Sequence, residues 1–165
     1  AEHYQQTAYF GFMIKDDSRG RVRKGIHPDI PLITYSMNDR DFAKFLRGIE
    51  LLSKMMLRAG AEFVHLPGLR RFPKLHTEHE LEVALRSGLR PHHFAISAYH
   101  PLGTARLAAS PERGVCDERH RVFGWEGLYV MDGSSIPSSL GANPQVTIMA
   151  LAARAAEWVA EEIHS

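Results

Sequence analysis

One apolar repeat restricts the fold of this 165-residue chain more than any other feature. From residue 42 to residue 56, large apolar side chains recur at steps of three and four, the period of an amphipathic α-helix. Asn38 or Asp39 can cap the start of this helix, and Gly60 can end it. The repeat therefore predicts one long helix, whose apolar positions are Phe42, Phe45, Leu46, Ile49, Leu52, Met55 and Met56.

Shorter apolar and β-branched segments, bounded by turn residues, predict strands around this helix. The last of them ends in Asp132-Gly133 and has the composition of a buried strand that leads into a turn. The predicted strands are Thr7–Ile14, Gly20–Gly25, Pro31–Met37, Ala61–Leu66 and Gly127–Met131.

Two more helices are predicted in the second half of the chain. Thr77-Glu78-His79-Glu80 has the pattern of a capping box, and Gly88 can end the short helix that it opens. A final helix follows Asn143 at the cap position and Pro144 in the first turn, with a core-facing stripe of Ile148, Leu151, Ala155, Val159 and Ile163. The predicted fold class is α+β, with a mainly antiparallel sheet flanked by helices.

Composition excludes several classes of function. Twenty basic against nineteen acidic side chains give a net charge of +1, which provides no electrostatic reason to expect nucleic acid or an anionic membrane as partner. Cys116 is the only cysteine, so neither an internal disulfide nor a cysteine-based metal site can form. Apolar runs such as Ala8–Ile14 and Val146–Ala153 are too short to span a bilayer. No signal peptide is visible at the start, and together with the single cysteine this favours a cytoplasmic location.

Three short segments carry most of the chemical information: residues 99–104, 128–134 and 141–147. Each alone has an ordinary structural interpretation, as a loop histidine, a turn and a helix cap. However, a helix that begins near Asn143 presents unpaired amides and a partial positive charge, and Gly133 permits close approach of the backbone to a ligand. Two such amide-rich ends beside the imidazole of His100 suit a bulky, electron-accepting cofactor, but spacing alone does not name it.

In this order and spacing, the three segments resemble the C-terminal signature of the glucose–methanol–choline (GMC) oxidoreductases. That signature has a histidine shortly before Gly-Thr or Gly-Gly, a Leu-Tyr-Val-x-Asp-Gly/Ala-Ser strand end with proline close behind, and Asn-Pro opening the terminal helix. The matching residues are His100 with Gly103-Thr104, Leu128–Ser134 with Pro137, and Asn143-Pro144. The resemblance is strong from Ala98 to Ile163 and loose from Thr7 to Gly68.

The resemblance implies oxidation of an alcohol to a carbonyl compound by hydride transfer to the N5 atom of FAD. It assigns the role of catalytic base to His100, and to Asn143 a hydrogen bond with the substrate oxygen or the flavin. Asp132 and Gly133 match positions that meet the pyrophosphate and ribityl chain, and Pro144 and Gln145 match backbone near the isoalloxazine ring.

Tyr99 precedes the base as it does in sterol oxidases, so it either lines the substrate face or is a packed aromatic. The Tyr-His-Pro-Leu-Gly stretch favours the sterol and long-chain-alcohol branches of the family, but neither the particular alcohol nor the electron acceptor can be read from it. The remaining histidines, such as His92, His93 and His120, lack a carboxylate at ligand spacing, so no metal site is expected.

Members of the family hold the ADP half of FAD on an N-terminal βαβ unit with a Gly-x-Gly-x-x-Gly loop. No three of the thirteen glycines have that spacing. The chain is therefore expected to bind FAD weakly and to be inactive alone, and to need an FAD-binding domain in cis or in trans. The expected division is residues 1–126 as a substrate-domain portion that carries the His100 loop, and residues 127–165 as the strand and helix that complete the FAD-binding domain.

Two alternatives remain open at this point. The chain is either such an enzyme part, or an inactive fragment or split-gene subunit that docks on a separate FAD-domain partner. A small-ligand-binding domain unrelated to flavin is a third interpretation, which the three motifs disfavour.

Overall fold

The helix predicted from the apolar repeat is the centre of the first of two units in the computed structural model, which describes residues 4–66, 68–70 and 72–164. The first unit comprises Ala1–Ile14 and Ser36–Ser97, and the second comprises Lys15–Tyr35 and Ala98–Ser165. Helix α1 spans Asp39–Arg58. Asn38 caps it, since its Oδ1 accepts a hydrogen bond of 2.8 Å from the Asp41 amide, and Gly60 follows its end at φ +96°. Both predicted ends are confirmed.

The core of the first unit lies between α1 and a shorter helix, α2, which spans Glu78–Leu85. Thr77 caps α2 by accepting the Glu80 amide at 3.1 Å. The Glu80 carboxylate accepts the amide of His76 instead of that of Thr77, so the predicted capping box closes one residue earlier than its pattern implies. The buried apolar residues of this core are Phe42, Ile49, Leu66, Leu69, Leu75, Leu81, Ala84 and Phe94.

Only two of the five predicted strands form. Strand β1 (Gly20–Arg23) pairs with strand β2 (Leu32–Tyr35) in an antiparallel hairpin of the second unit, with Gly20 opposite Tyr35 and Arg23 opposite Leu32. All eight residues of the hairpin are exposed. The fold is thus α+β, with an antiparallel sheet of two strands in the described residues.

The other three strand predictions were wrong. The described backbone has no strand in residues 7–14, and residues 61–66 contribute only the single bridge between Val64 and Leu75. Residues 127–131 form one bridge, Arg121 with Tyr129, and are exposed or half-buried instead of buried. The reason is that apolar alternation favours an extended backbone, whereas a strand also needs a neighbour with which to share its hydrogen bonds.

Helix α3 (Gln145–His164) follows a 3₁₀ turn at Gly133–Ser135 in the second unit. Because α3 begins at Gln145, Pro144 occupies the position before its first turn and Asn143 lies one residue earlier, so the predicted capping by Asn143 was wrong by one position. Of its apolar stripe only Ala155 is buried, and Ile163 is 74% exposed. Polar contacts of Glu162 with Tyr129 and Arg121 hold its last turn instead. No helix among the described residues has the length and apolar composition needed to cross a bilayer.

Candidate functional site

His100 and Asn143 line one cavity of about 380 Å³ in the second unit. The loop that carries His100 lies on one part of its wall, and the N-terminal end of α3 forms the rest. Both polar side chains are exposed to the cavity and to solvent. The complete lining is His100, Asn143, Pro144, Gln145, Ile148 and Met149.

The loop after His100 is fixed by a hydrogen-bonded ladder to the 3₁₀ turn at residues 133–135. The amides of Gly103, Ala105 and Leu107 donate to the carbonyls of Gly133, Ser134 and Ser135 at 3.4, 3.0 and 2.8 Å. Gly103 has a left-handed backbone, with φ +81°, which favours glycine. The ladder therefore joins the loop that carries the predicted base to the turn that carries the predicted FAD-binding residues.

Asp132 opens this turn by capping it. Its carboxylate accepts the amide of Ser134 at 2.7 Å. Hydrogen bonds from the side chain and the backbone of Ser134 hold the pKa of Asp132 below its usual value, so the carboxylate is ionised at neutral pH. In the next residue, Gly133, an added Cβ would lie 3.2 Å from both Leu102 Cδ2 and Ile148 Cδ1. A side chain at this position would therefore crowd these two methyl groups, and approach of a ligand to Gly133 stays a prediction.

The N-terminal end of α3 has hydrogen-bonding capacity to spare. The carbonyl of Pro144 accepts the Ile148 amide at 2.8 Å, which is the first bond of the helix. Within the described part of the chain, the amides of Gln145, Val146 and Thr147 have no acceptor, as the geometry of a helix start dictates. Since Asn143 does not cap the helix, its carboxamide is also available to a ligand.

Four of the seven predicted site residues share the cavity, and three lie outside its lining. His100, Asn143, Pro144 and Gln145 line the cavity, whereas Asp132, Gly133 and Tyr99 are not part of its lining. Tyr99 is 85% exposed. The roles assigned to all seven stay predictions.

Two residues of the site were not predicted as such. Ile148 was assigned to the core stripe of α3, and Met149 was not singled out, yet both line the cavity. The signal was present in the spacing: residues three and four positions after Gln145 lie on the same face of a helix. A helix that places Gln145 in a site necessarily brings Ile148 and Met149 with it.

Among the described residues, no group of three or more histidine, cysteine, aspartate or glutamate side chains is arranged to hold a metal ion. The rings of His92 and His93 lie edge to face at 4.3 Å, and the Nδ1 atom of His93 accepts the Arg90 amide at 3.0 Å. The cavity offers an imidazole and two carboxamides beside three apolar side chains.

Comparison with known proteins agrees with the motifs. The profile of the GMC oxidoreductase family matches residues 16–152. An uncharacterised GMC-type oxidoreductase of Mycobacterium tuberculosis (strain H37Rv) is 31% identical over 158 residues, which cover 96% of this chain and 24% of that protein. A cholesterol oxidase of Acinetobacter baumannii is 50% identical over 60 residues, covering 36% of this chain and 11% of that protein.

A long-chain-alcohol oxidase of Arabidopsis thaliana is 26% identical over 156 residues, which cover 90% of this chain and 21% of that protein. The chain spans about a quarter of the length of the curated relatives that it matches over most of its own length. The predicted family is confirmed by a profile match over most of the chain. The chain belongs to the GMC oxidoreductase family, of which it represents the C-terminal region.

Proposed function

We propose that this chain is the C-terminal part of an FAD-dependent alcohol oxidoreductase, with His100 as the catalytic base and Asn143 as the residue that binds the substrate oxygen. The observation that carries the proposal is the shared cavity, in which an imidazole and a carboxamide from distant parts of the sequence face the same space. A base and a hydrogen-bond donor on one oxygen are what removal of a hydroxyl proton requires.

His100 supplies the step that an alcohol cannot make unaided. An aliphatic hydroxyl hardly ionises at neutral pH, and a positioned general base contributes about 10²- to 10⁴-fold in rate. Imidazole titrates in the range where it can take up that proton. Asn143 holds the oxygen while the proton leaves, and its amide hydrogens stabilise the negative charge that develops there. FAD, when bound, accepts the hydride from the carbon that bears this oxygen.

The residues at the start of α3 fit a flavin ring. Three backbone amides without acceptors, at residues 145–147, lie at the positive end of a 20-residue helix. Such an end stabilises negative charge on a ring placed against it. Asp132 and Gly133 are the residues we assign to the pyrophosphate and ribityl chain, and the ladder to Gly103 links them to the His100 loop.

The apolar part of the cavity favours an alcohol attached to an apolar body. Ile148 and Met149 line this part, and His100 is the only acidic or basic side chain in the lining. The similarity to a cholesterol oxidase and to a long-chain-alcohol oxidase supports the same substrate class. We therefore propose sterols or long-chain alcohols as the first compounds to test.

A second part of the protein is needed to complete the site. The β1–β2 hairpin exposes large apolar side chains, among them Val22, Leu32 and Ile33, and Ile26 and Ile30 in the turn are exposed as well. Exposed apolar surface of this kind is usually covered by a partner. We assign that role to an FAD-binding domain, in cis or in trans, and assign residues 127–165 to the completion of that domain.

The experiment is a titration of the purified 165-residue chain with FAD, followed by gel filtration and a visible spectrum. We expect weak binding, with FAD lost on the column, and restored binding once a family FAD-binding domain is added. A stoichiometric yellow complex of the chain alone would contradict the division of the cofactor site.

The alternative, an inactive docking subunit, is favoured by the same exposed hairpin. It predicts a stable complex with an FAD-domain partner, in which no alcohol reduces the bound flavin. Bleaching of the flavin by a sterol or a long-chain alcohol under anaerobic conditions would exclude this alternative.

A further inference from the structure

His120 is a buried histidine that the proposed mechanism does not use. It is 0% exposed, and it belongs to a tight turn, at Asp117–Arg121, in the second unit. Its backbone is left-handed, with φ +66°, and it is the only non-glycine residue of the described chain with positive φ. Histidine, asparagine and aspartate tolerate this region better than other side chains, and glycine adopts it without strain.

His120 satisfies both backbone polar groups of Val130. Its own carbonyl accepts the Val130 amide at 3.0 Å, and its Nδ1 atom lies 2.8 Å from the Val130 carbonyl oxygen. Because a carbonyl oxygen can only accept, Nδ1 must carry the proton and donate. The Nε2 atom of the ring is buried and has no partner among the described residues. Burying Nε2 without a partner is unfavourable. The hydrogen bond from Nδ1 to the Val130 carbonyl offsets this cost.

Val130 lies two residues before Asp132, so this bond fixes the approach to the turn at residues 132–135. The other side of that turn is held by the ladder from Gly103, Ala105 and Leu107. The turn is therefore attached on one side to the loop that carries His100 and on the other to His120.

We propose that His120 is a positioning residue that places Asp132 for the cofactor by clamping Val130 from both its ring and its backbone. The inference rests on the proposed FAD site. A residue at position 120 that holds Val130 in this way needs two properties: tolerance of positive φ, and a side-chain donor that reaches the Val130 carbonyl. Histidine and asparagine have both, because the Nδ2 of asparagine is as many bonds from Cα as the Nδ1 of histidine, whereas glycine has only the first.

The test compares His120→Gly and His120→Asn in a protein that joins this chain to its FAD-binding domain. Loss of one hydrogen bond predicts that His120→Gly raises the Kd for FAD by about tenfold, and that His120→Asn restores it to within about threefold of the wild type. Ala155→Gly, which destabilises the middle of α3 in the same unit, is the matched control and should leave the Kd unchanged. A merely structural role for His120 would move both glycine variants alike.

Two results would overturn the inference: wild-type affinity in His120→Gly, or an asparagine variant as weak as the glycine variant. If His120→Gly does not fold, the Kd of His120→Asn decides, since a more than about tenfold loss there contradicts the clamp. A separate NMR measurement distinguishes this failure from that of the proposed function. If the wild-type protein binds no FAD, the proposed function is wrong. A slowly exchanging Nδ1–H signal from the His120 ring still supports the clamp in that case, and absence of this signal refutes the clamp.

Discussion

Replacement of Gly103 by alanine tests the ladder that joins the His100 loop to the Asp132 turn. Gly103 has φ +81°, and a Cβ at this position would lie 3.2 Å from the carbonyl oxygen of Ile136. Two costs therefore add. A left-handed backbone costs a residue with a Cβ about 1–2 kcal/mol, of which about 0.4–1 kcal/mol is recovered because alanine restricts the unfolded chain. Crowding against a buried neighbour adds about 1–3 kcal/mol. We expect Gly103→Ala to lower the free energy of unfolding of the second unit by about 2–4 kcal/mol.

Gly124→Ala is the matched control for Gly103→Ala. Gly124 has φ +76°, nearly the same backbone, but a Cβ there would meet no atom within 4 Å. It should therefore show the backbone cost alone, about 1 kcal/mol. The difference between the two variants isolates the close approach to Ile136.

The assay is urea unfolding followed by tryptophan fluorescence. Both tryptophans, Trp125 and Trp158, belong to the second unit, so the signal reports that unit selectively. The ring of Trp158 lies under the guanidinium of Arg154, at 4.7 Å, and this contact is lost on unfolding. Equal destabilisation by the two alanine variants would refute the argument, because it would show that Gly103 is needed only for its backbone conformation.

Three further predictions concern the core of the first unit and the segment around Cys116 in the second. Leu81 is 0% exposed in the first unit, so Leu81→Ala should lower the free energy of unfolding, followed by circular dichroism, by about 2–5 kcal/mol. The exposed Leu51→Ala is the control, and a loss below about 1 kcal/mol at Leu81 would contradict the assigned core. Burial, followed by the charges of Asp117 and Asp132, raises the pKa of the Cys116 thiol, so a thiol reagent should modify it only as fast as the second unit unfolds, and rapid labelling of the native chain would refute its burial. Burial alone would raise the pKa of Asp117, but hydrogen bonds from Arg121 and Arg119 lower this pKa below 3.8. The ionised carboxylate therefore stabilises the fold above pH 3.8, and this stabilisation is lost as the pH falls through the lowered pKa. Asp117→Asn should therefore lower the urea midpoint at pH 7, and its effect should shrink as the pH falls through the lowered pKa of Asp117; an effect that does not depend on pH would contradict this linkage.

The helices could be predicted from sequence because their signals are local. The apolar repeat of α1, its Asn38 cap and its terminal Gly60 lie within a few residues of the element that they define. That the sheet has only two strands, and that residues 7–14 and 127–131 form none, could not be predicted in the same way. Whether an extended segment becomes a strand depends on a neighbour elsewhere in the chain.

The candidate site was predicted in part for a similar reason. The motifs supplied His100 and Asn143, but their side chains share a cavity only because a loop and a helix end meet, which no spacing in the sequence encodes. The clamp on Val130 was missed altogether. A histidine with positive φ has no local pattern, and its partner lies ten residues away along the chain.

The measurement that tests the account most directly is the rate of flavin reduction by an alcohol in an anaerobic stopped-flow experiment, with this chain joined to a family FAD-binding domain. We predict that His100→Ala slows this rate by about a hundredfold or more, since a general base is removed. His92→Ala, at an exposed histidine of the first unit, should leave the rate unchanged. Reduction of the His100→Ala flavin at nearly the wild-type rate would contradict the central claim that His100 is the base.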